Sequence, residues 1–244
     1  MKKLNHFFIS VLCLSHFSTN ANTCCAITIT RSAQLQEEKA TGNFKGIATG
    51  GPINVVVTMG NKESIRMEGD ADAIAGLTTE ISNGILIIRP LTKWSDWSRK
   101  FRNARITAYI KARKLSSLTK SGSGDIEIQN ILSGTDLSAT LSGSGSIRAD
   151  VNVKSFTGVI SGSGNMNIGG KAENSSVTLS GSGQFNGKDL TVGDLSVQVS
   201  GSANVYINAS KSIEAVISGS GNVFYSGSPT IEKTILGSGR VKKL

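Results

Sequence analysis

The sequence is poor in the residues on which many enzymes and disulfide-linked proteins depend. Its 244 residues include three cysteines, two histidines, three prolines and two tryptophans. Both histidines, His6 and His16, lie near the N-terminus, and no cysteine follows the adjacent pair Cys24 and Cys25. A disulfide framework is therefore excluded for everything beyond residue 25, and so are catalytic arrangements that need a histidine.

Long hydrophobic runs are also missing, apart from a short one at the N-terminus. Lys2 and Lys3 precede an apolar run from Phe7 to Phe17, and small residues follow up to Ala21. This pattern is typical of a secretory signal peptide, and the run is too short to span a membrane. We predict a signal peptide over residues 1–21, a linker over residues 22–41, and an exported product in the periplasm, on the outer-membrane surface or secreted. Lipidation of Cys24 or Cys25 stays open.

Acidic residues are outnumbered by basic ones. Without residues 1–21 the chain carries 24 Lys and Arg against 17 Asp and Glu, which gives a net charge of +7. For an exported protein this charge favours an acidic glycan, a cell-surface polysaccharide or an envelope protein as partner, and not nucleic acid. No transmembrane span is predicted in the mature chain, and a homo-oligomer is left open.

Glycine is abundant, and much of it belongs to a repeat. The tetrapeptide Ser-Gly-Ser-Gly, or a near copy, occurs seven times, with successive starts 18 to 21 residues apart. A period near twenty is typical of a solenoid, in which each repeat buries its apolar face against its neighbours. The seven copies begin at Ser121, Ser142, Ser161, Ser180, Ser200, Ser218 and Leu236.

Apolar residues keep a fixed register with this tetrapeptide. If its first residue is position 0, positions −1 and +5 are apolar in every copy except for Lys120 at −1 of the first. These positions share one parity with −3, +7 and the glycines, which is the period of a half-buried strand. We predict an all-β fold, a single-stranded β-helix or β-solenoid with coils of 18–21 residues. The glycines fit where each coil bends and its interior narrows.

The preceding part, residues 42–117, has β-strand patterns without the repeat. Strands are predicted over 53–59 and 64–68, then one short helix with Asp70 as its N-cap, then a hairpin turning at Asn83-Gly84. A loop from Pro90 to about Asn103 leads into a strand over 105–112. We predict one domain over residues 42–244, with regular coils from residue 118; whether residues 42–117 form irregular coils or an end cap is left open.

Several of these segments resemble a known family. They are Phe44–Ile47, Val55–Gly60, Met67–Asp70, the Asn83–Ile88 hairpin, Ile106–Lys111 and Ser121–Ile126. Together they are similar to the head GIN domain of putative auto-transporter adhesins, also called domain of unknown function 2807. The resemblance covers about residue 44 to the C-terminus. It implies an exported bacterial protein, typical of Bacteroidetes-type Gram-negative cells, with a β-helix-like fold and no catalytic residues to transfer.

One segment combines both tryptophans with a cluster of cations. Because aromatic faces and cations suit sugars and acidic groups, we predict a ligand-binding site there. The alternative is that the tryptophans close an open end of the solenoid while the cations remain in water. The candidate residues are Trp94, Trp97, Arg99, Lys100, Arg102 and Arg105.

The glycine tetrapeptides themselves indicate architecture. No Lys-Ser/Thr pair and no helix follows any of them, so phosphate binding is not predicted. Only the first of the seven copies has a carboxylate after its last glycine, Asp125, so calcium is not predicted either. A ladder of polar side chains hydrogen-bonded along the stack is predicted at this position instead. No metal site and no cofactor are predicted.

The carboxylates of the repeats lie at unlike repeat positions, so an acidic catalytic cluster is not expected. We therefore predict a non-enzymatic binding or adhesion module of the bacterial cell envelope, with flat β faces and the basic tryptophan-containing loop. The alternatives are a glycan-active β-helix enzyme, a lyase or hydrolase, and a purely structural or oligomerising envelope protein. The carboxylates concerned are Asp136, Asp150, Glu173, Asp189, Asp194 and Glu214.

Overall fold

A computed structural model describes residues 39–40 and 42–244 of the chain. The predicted signal peptide, and the predicted linker apart from Lys39 and Ala40, lie outside these residues. Within them the strands join into a single continuous sheet that coils around one apolar core. The predicted β-solenoid is therefore confirmed. No helix of the described residues has the length and apolar character needed to cross a membrane.

The regular part of the stack consists of parallel strands in register. Equivalent serines pair from coil to coil, as Ser142 does with Ser161 and Ser161 with Ser180. Each strand from β11 to β14 runs from one tetrapeptide to the next, so the tetrapeptides stack at one corner of the coil. The strands are β8 Ser117–Gly122, β9 Asp125–Ile128, β10 Leu132–Gly143, β11 Ser146–Gly162, β12 Asn165–Gly181, β13 Gln184–Gly201, β14 Asn204–Gly219, β15 Asn222–Gly227, β16 Thr230–Gly237 and β17 Arg240–Lys243.

The first glycine of each tetrapeptide is required for two reasons. Gly162 has φ 115°, a conformation that residues with a side chain rarely adopt. A Cβ at Gly162 would also lie 2.7 Å from the carbonyl oxygen of Gly143 in the preceding coil. The second glycine is needed only for space, and one coil replaces it with the fully buried Ala203. The corner glycines therefore let successive backbones approach each other closely.

The inward positions identified from the repeat are buried. Position +5 is occupied by Ile147, Met166, Phe185 and Val205 in successive coils, and none of these side chains is accessible to solvent. Polar side chains form the predicted ladder on the outside. Ser146 Oγ donates to Asp125 Oδ1 at 2.8 Å, and farther along the stack Asn222 Nδ2 donates to Asn204 Oδ1 at 3.1 Å.

Lys120, the exception to the apolar pattern, is fully buried. Its ammonium group lies inside the corner of a neighbouring coil, where it donates to the carbonyl oxygens of Gly51 at 2.9 Å and Ile53 at 2.8 Å. Burial lowers the pKa of Lys120 from its usual 10.5 to about 8, against the opposing attraction of Asp125. Lys120 thus fastens a corner that lacks the Ser-Gly-Ser-Gly sequence.

The first part of the chain forms further coils, but their order in space differs from their order in sequence. Strands β2 and β3 make a coil that lies between the coil of β6 and β7 and the coil of β8 and β9. The β6–β7 coil is consequently the outermost one. The elements are β1 Lys39–Ala40, β2 Gly46–Gly50, β3 Ile53–Met59, β4 Ser64–Gly69, α1 Ala71–Ala75, β5 Leu77–Ser82, β6 Ile85–Pro90, α2 Trp94–Lys100 and β7 Ile106–Ala112.

Antiparallel strands cover the outer edge of this first coil. β5 pairs with β6 through the predicted hairpin, in which Asn83 and Gly84 have φ values of 51° and 74°. β4 pairs with β7, and α1 connects the two covering strands. The side chain of Asp70 accepts from Ala73 N at 3.1 Å, as predicted for an N-cap. Residues 42–117 therefore contain both irregular coils and an end cap.

The segment predicted as a loop between residues 90 and 103 contains a second helix, α2, where the sequence predicted only one helix in this part. Its aromatic residues Trp94, Trp97 and Phe101 recur at helical spacing, which places them on one side of the helix. Burial of that side explains why a seven-residue segment with little intrinsic stability is helical.

Candidate functional site

The helix α2 occupies the corner of the outermost coil, where the regular coils carry Ser-Gly-Ser-Gly. Trp97 anchors it. Its side chain is 3% exposed, and its indole Nε1 donates to the carbonyl oxygen of Ala73 in α1 at 3.2 Å. The ring also lies beside Phe101, with 5.4 Å between centroids. Trp97 is thus used in packing the two helices together.

Trp94 covers the end of the glycine column. A Cβ at Gly50 would lie 2.7 Å from Trp94 Cζ2, and one at Gly51 would lie 2.3 Å from Cζ3, so the indole rests directly on the backbone of the next corner. Trp94 also meets Trp97 edge to face, with 5.8 Å between ring centroids. The Trp94 side chain is partly exposed. It therefore closes the corner and still contributes to the surface.

The four predicted cations of this segment are exposed and lie within seven consecutive residues, from Arg99 to Arg105. Arg99 approaches Asp96, the one acidic residue of 93–105, at 3.3 Å, but this exposed pair contributes little to stability. Lys100 Nζ lies 5.0 Å from the centroid of the Phe101 ring. We call residues 94–105 the basic cap. Arg99 and Lys100 lie in the last turn of α2, whose aromatic side is held against the protein, and Arg102 and Arg105 follow the helix.

A second surface feature was not expected from the sequence. A cleft of about 380 Å³ crosses four successive coils on the outside of β9, β11, β12 and β13, and we call it the coil groove. Its lining is mostly polar. The polar side chains that line it include Glu127, Arg148, Asp150, Asn167, Asn186 and Asp189.

The expectation that the carboxylates are scattered is therefore wrong for Asp150 and Asp189, which share this groove with Glu127. By parity Asp189, at position +9 of its repeat, should point into the core. One extra residue in β13 shifts its register against β12, because Asn167 pairs with Asn186 whereas Gly170 pairs with Leu190. This β-bulge turns Asp189 outward and Leu190 inward. The spacing of 20 residues in this repeat, against 19 in the two before it, is the sequence signal of the extra residue.

A glycine keeps the middle of the groove open. Asp150 pairs with Gly169 in the neighbouring strand, and a Cβ at Gly169 would lie 2.3 Å from Asp150 Oδ1 and 3.7 Å from Asp189 Cβ. A side chain at residue 169 would thus fill the space between the two carboxylates. Because Gly169 has none, both carboxylates border one notch.

The amide pair at one end of the groove leaves a hydrogen-bond acceptor free. Asn186 Nδ2 donates to Asn167 Oδ1 at 3.2 Å, which continues the ladder between coils. Asn186 Oδ1 is buried and has no hydrogen-bond partner. Among the described residues, no three Asp, Glu, His or Cys side chains are placed to hold a metal ion. The groove therefore offers hydrogen-bonding groups.

Comparisons with solved structures show the same fold in other bacterial proteins. A putative adhesin from Bacteroides fragilis has a TM-score of 0.78 at 23% identity, over 87% of this chain and 98% of that chain. A putative lipid-binding protein from Parabacteroides distasonis has a TM-score of 0.70 at 20% identity, over 88% and 98%. A putative adhesin from Parabacteroides merdae has a TM-score of 0.66 at 17% identity, over 87% and 97%. At these identities the similarity concerns the fold.

No curated protein is significantly similar to the chain. The family model described as "Putative auto-transporter adhesin, head GIN domain" matches residues 43–229, which is most of the chain and includes the basic cap and the coil groove. The family resemblance seen in the sequence is thereby confirmed, and the chain belongs to the head GIN domain family of putative auto-transporter adhesins.

Proposed function

We propose that the chain is an exported, non-enzymatic binding module of the bacterial cell envelope, of adhesion type, which holds an acidic polysaccharide at its basic cap. The observation that carries this proposal is the combination of four exposed cations, Arg99 to Arg105, with aromatic side chains that fix the helix α2, which bears Arg99 and Lys100 and is followed directly by the other two cations. The family, named for adhesins, supports the coarser part of the proposal.

The arrangement suits a polymer with repeated negative charge. Exposed cations on a fixed element attract such a polymer over about 8–10 Å at physiological salt, and little side-chain packing is needed for capture. Arg side chains can also bind carboxylates with two parallel hydrogen bonds. The exposed part of Trp94 offers an apolar surface beside these cations. Capture of an acidic chain needs no catalytic group.

The test is binding of polygalacturonic acid to the purified protein at about 0.02 M and about 0.15 M salt. The variant Arg102→Glu/Arg105→Glu should bind more than about tenfold more weakly, since each cation near an anionic surface contributes about 1 kcal/mol. The matched control is Lys154→Glu/Lys171→Glu, which makes the same change of net charge at exposed lysines of the regular coils. The control should bind within about twofold of the wild type.

Equal losses in both variants would show that net charge alone attracts the polymer and would overturn the assignment to the cap. Because the Parabacteroides distasonis relative is named as a putative lipid-binding protein, vesicles containing phosphatidylglycerol are the second probe. Cap-dependent binding to these vesicles, without binding to polygalacturonic acid, would contradict a polysaccharide partner and assign the cap to an anionic membrane surface.

A further inference from the structure

The coil groove differs from the basic cap in the sign of its charge. Glu127, Asp150 and Asp189 line it, with the single cation Arg148 among them. Three carboxylates against one guanidinium repel the acidic polymers that the cap attracts. The groove therefore calls for a different ligand, one that is uncharged and rich in hydrogen-bond donors.

Hydrogen-bond acceptors dominate the groove. An ionised carboxylate only accepts hydrogen bonds, and Asp150 and Asp189 border the same notch beside Gly169. Donors are present too, in the guanidinium of Arg148 and the amide of Asn167. Hydroxyl groups, which both donate and accept, match this mixture.

The shape of the groove favours a chain over a single small molecule. Its volume of about 380 Å³ lies in the range of small-ligand sites. It crosses four coils, and a spacing of about 4.8 Å between strands gives it a length of about 14 Å along the solenoid. Glu127, Arg148, Asn167 and Asn186 pair from coil to coil along the groove, so an extended ligand meets one polar side chain at this position in each coil.

We propose that the coil groove binds a neutral oligosaccharide, whose hydroxyl groups donate to Asp150 and Asp189. The guanidinium of Arg148 donates hydrogen bonds to the sugar oxygens. Its positive charge also compensates part of the negative charge of the three carboxylates. The bulge in β13 and the absence of a side chain at Gly169 are the two backbone features that create the site. This site is separate from the basic cap and binds its ligand without cleaving it.

The experiment measures binding of neutral gluco-, manno- and xylo-oligosaccharides to the purified protein by calorimetry. For the oligosaccharide that binds, Asp189→Asn and Asp150→Asn should each lower affinity at least about tenfold, the effect of weakening one or two hydrogen bonds to a polar ligand. Asp136→Asn and Asn174→Ala are the matched controls, since both residues are exposed on the solenoid and do not line the groove. The controls should stay within about twofold of the wild type.

Three results would overturn the proposal. They are the absence of binding to any neutral oligosaccharide, unchanged binding in Asp189→Asn, and the appearance of shorter oligosaccharides on incubation, which would show cleavage. Melting temperatures guard against unfolding, and the exposed Asp189 variant should melt like the wild type. The cap variant Arg102→Glu/Arg105→Glu should bind the neutral oligosaccharide normally, so that failure of one proposed site is distinguished from failure of the other.

Discussion

The buried ammonium group of Lys120 should make the stability of the solenoid depend on pH. In the folded protein its pKa is lowered to about 8 by burial, whereas in the unfolded chain it returns to 10.5. Between these two pH values the folded chain has released the proton and the unfolded chain still holds it. Because the unfolded state then binds more protons, the free energy of unfolding rises with pH across this window.

The expected size follows from the same two values. Below pH 8 the cost of the buried charge is fully present, and above pH 10.5 it is absent. Each pH unit in between contributes about 1.4 kcal/mol, which gives about 3 kcal/mol over the whole window. The hydrogen bonds from Lys120 to Gly51 and Ile53 stabilise the charged form and make this an upper value.

The comparison is between the wild type and Lys120→Met, which places an apolar side chain where every other repeat has one. Urea unfolding of both proteins is followed by tryptophan fluorescence at several pH values from about 7 to 10.5. Over this pH range the free energy of unfolding of the wild type should rise by about 2–3 kcal/mol more than that of the variant. The exposed Lys154→Met is the control and should run parallel to the wild type. Parallel curves for Lys120→Met would refute a buried, desolvated ammonium group.

Two further predictions concern packing. Trp97→Ala should lower the free energy of unfolding by about 3–5 kcal/mol, because it empties a buried aromatic site. Trp97→Phe should lower it less, since this change removes chiefly the hydrogen bond to Ala73. Equal losses for the two variants in a thermal or urea unfolding series would contradict the packing role of Trp97. Gly162→Ala should cost at least about 3 kcal/mol through its positive φ and its approach to Gly143. The control Gly134→Ala meets no atom within 4 Å and should be nearly neutral in the same assay.

The solenoid could be predicted because its repeats constrain one another. In a single strand the sequence pattern leaves open which face is buried. Ile147, Met166 and Phe185 occupy the same position in successive coils, and in-register pairing requires that this position face inward in all of them. The position of the corner could be predicted from the glycines for the same reason, because they recur at fixed positions in each repeat. Short-range signals were sufficient at Asp70 and at the Asn83-Gly84 turn, where the local chemistry itself determines the backbone.

Other features depend on contacts that a linear pattern does not contain. The helix α2 is short and polar in composition, and its aromatic spacing becomes informative only once Trp97 is seen to pack on α1. Lys120 interrupts the apolar pattern because its partners are carbonyl groups of a coil far away in sequence. The repeat spacing reveals an extra residue between Ser180 and Ser200 but not where in the coil it is accommodated, so the coil groove was missed.

The central claim, that an acidic polymer is held at the basic cap, is tested most directly by a lysine acetylation footprint. The purified protein is acetylated with and without polygalacturonic acid, and modification of each lysine is measured by mass spectrometry. We expect strong protection of Lys100, within the basic cap, and of Lys93, directly before it, with Lys154 and Lys171 on the regular coils modified as before. Uniform protection of all four, or protection only on the regular coils, would contradict it.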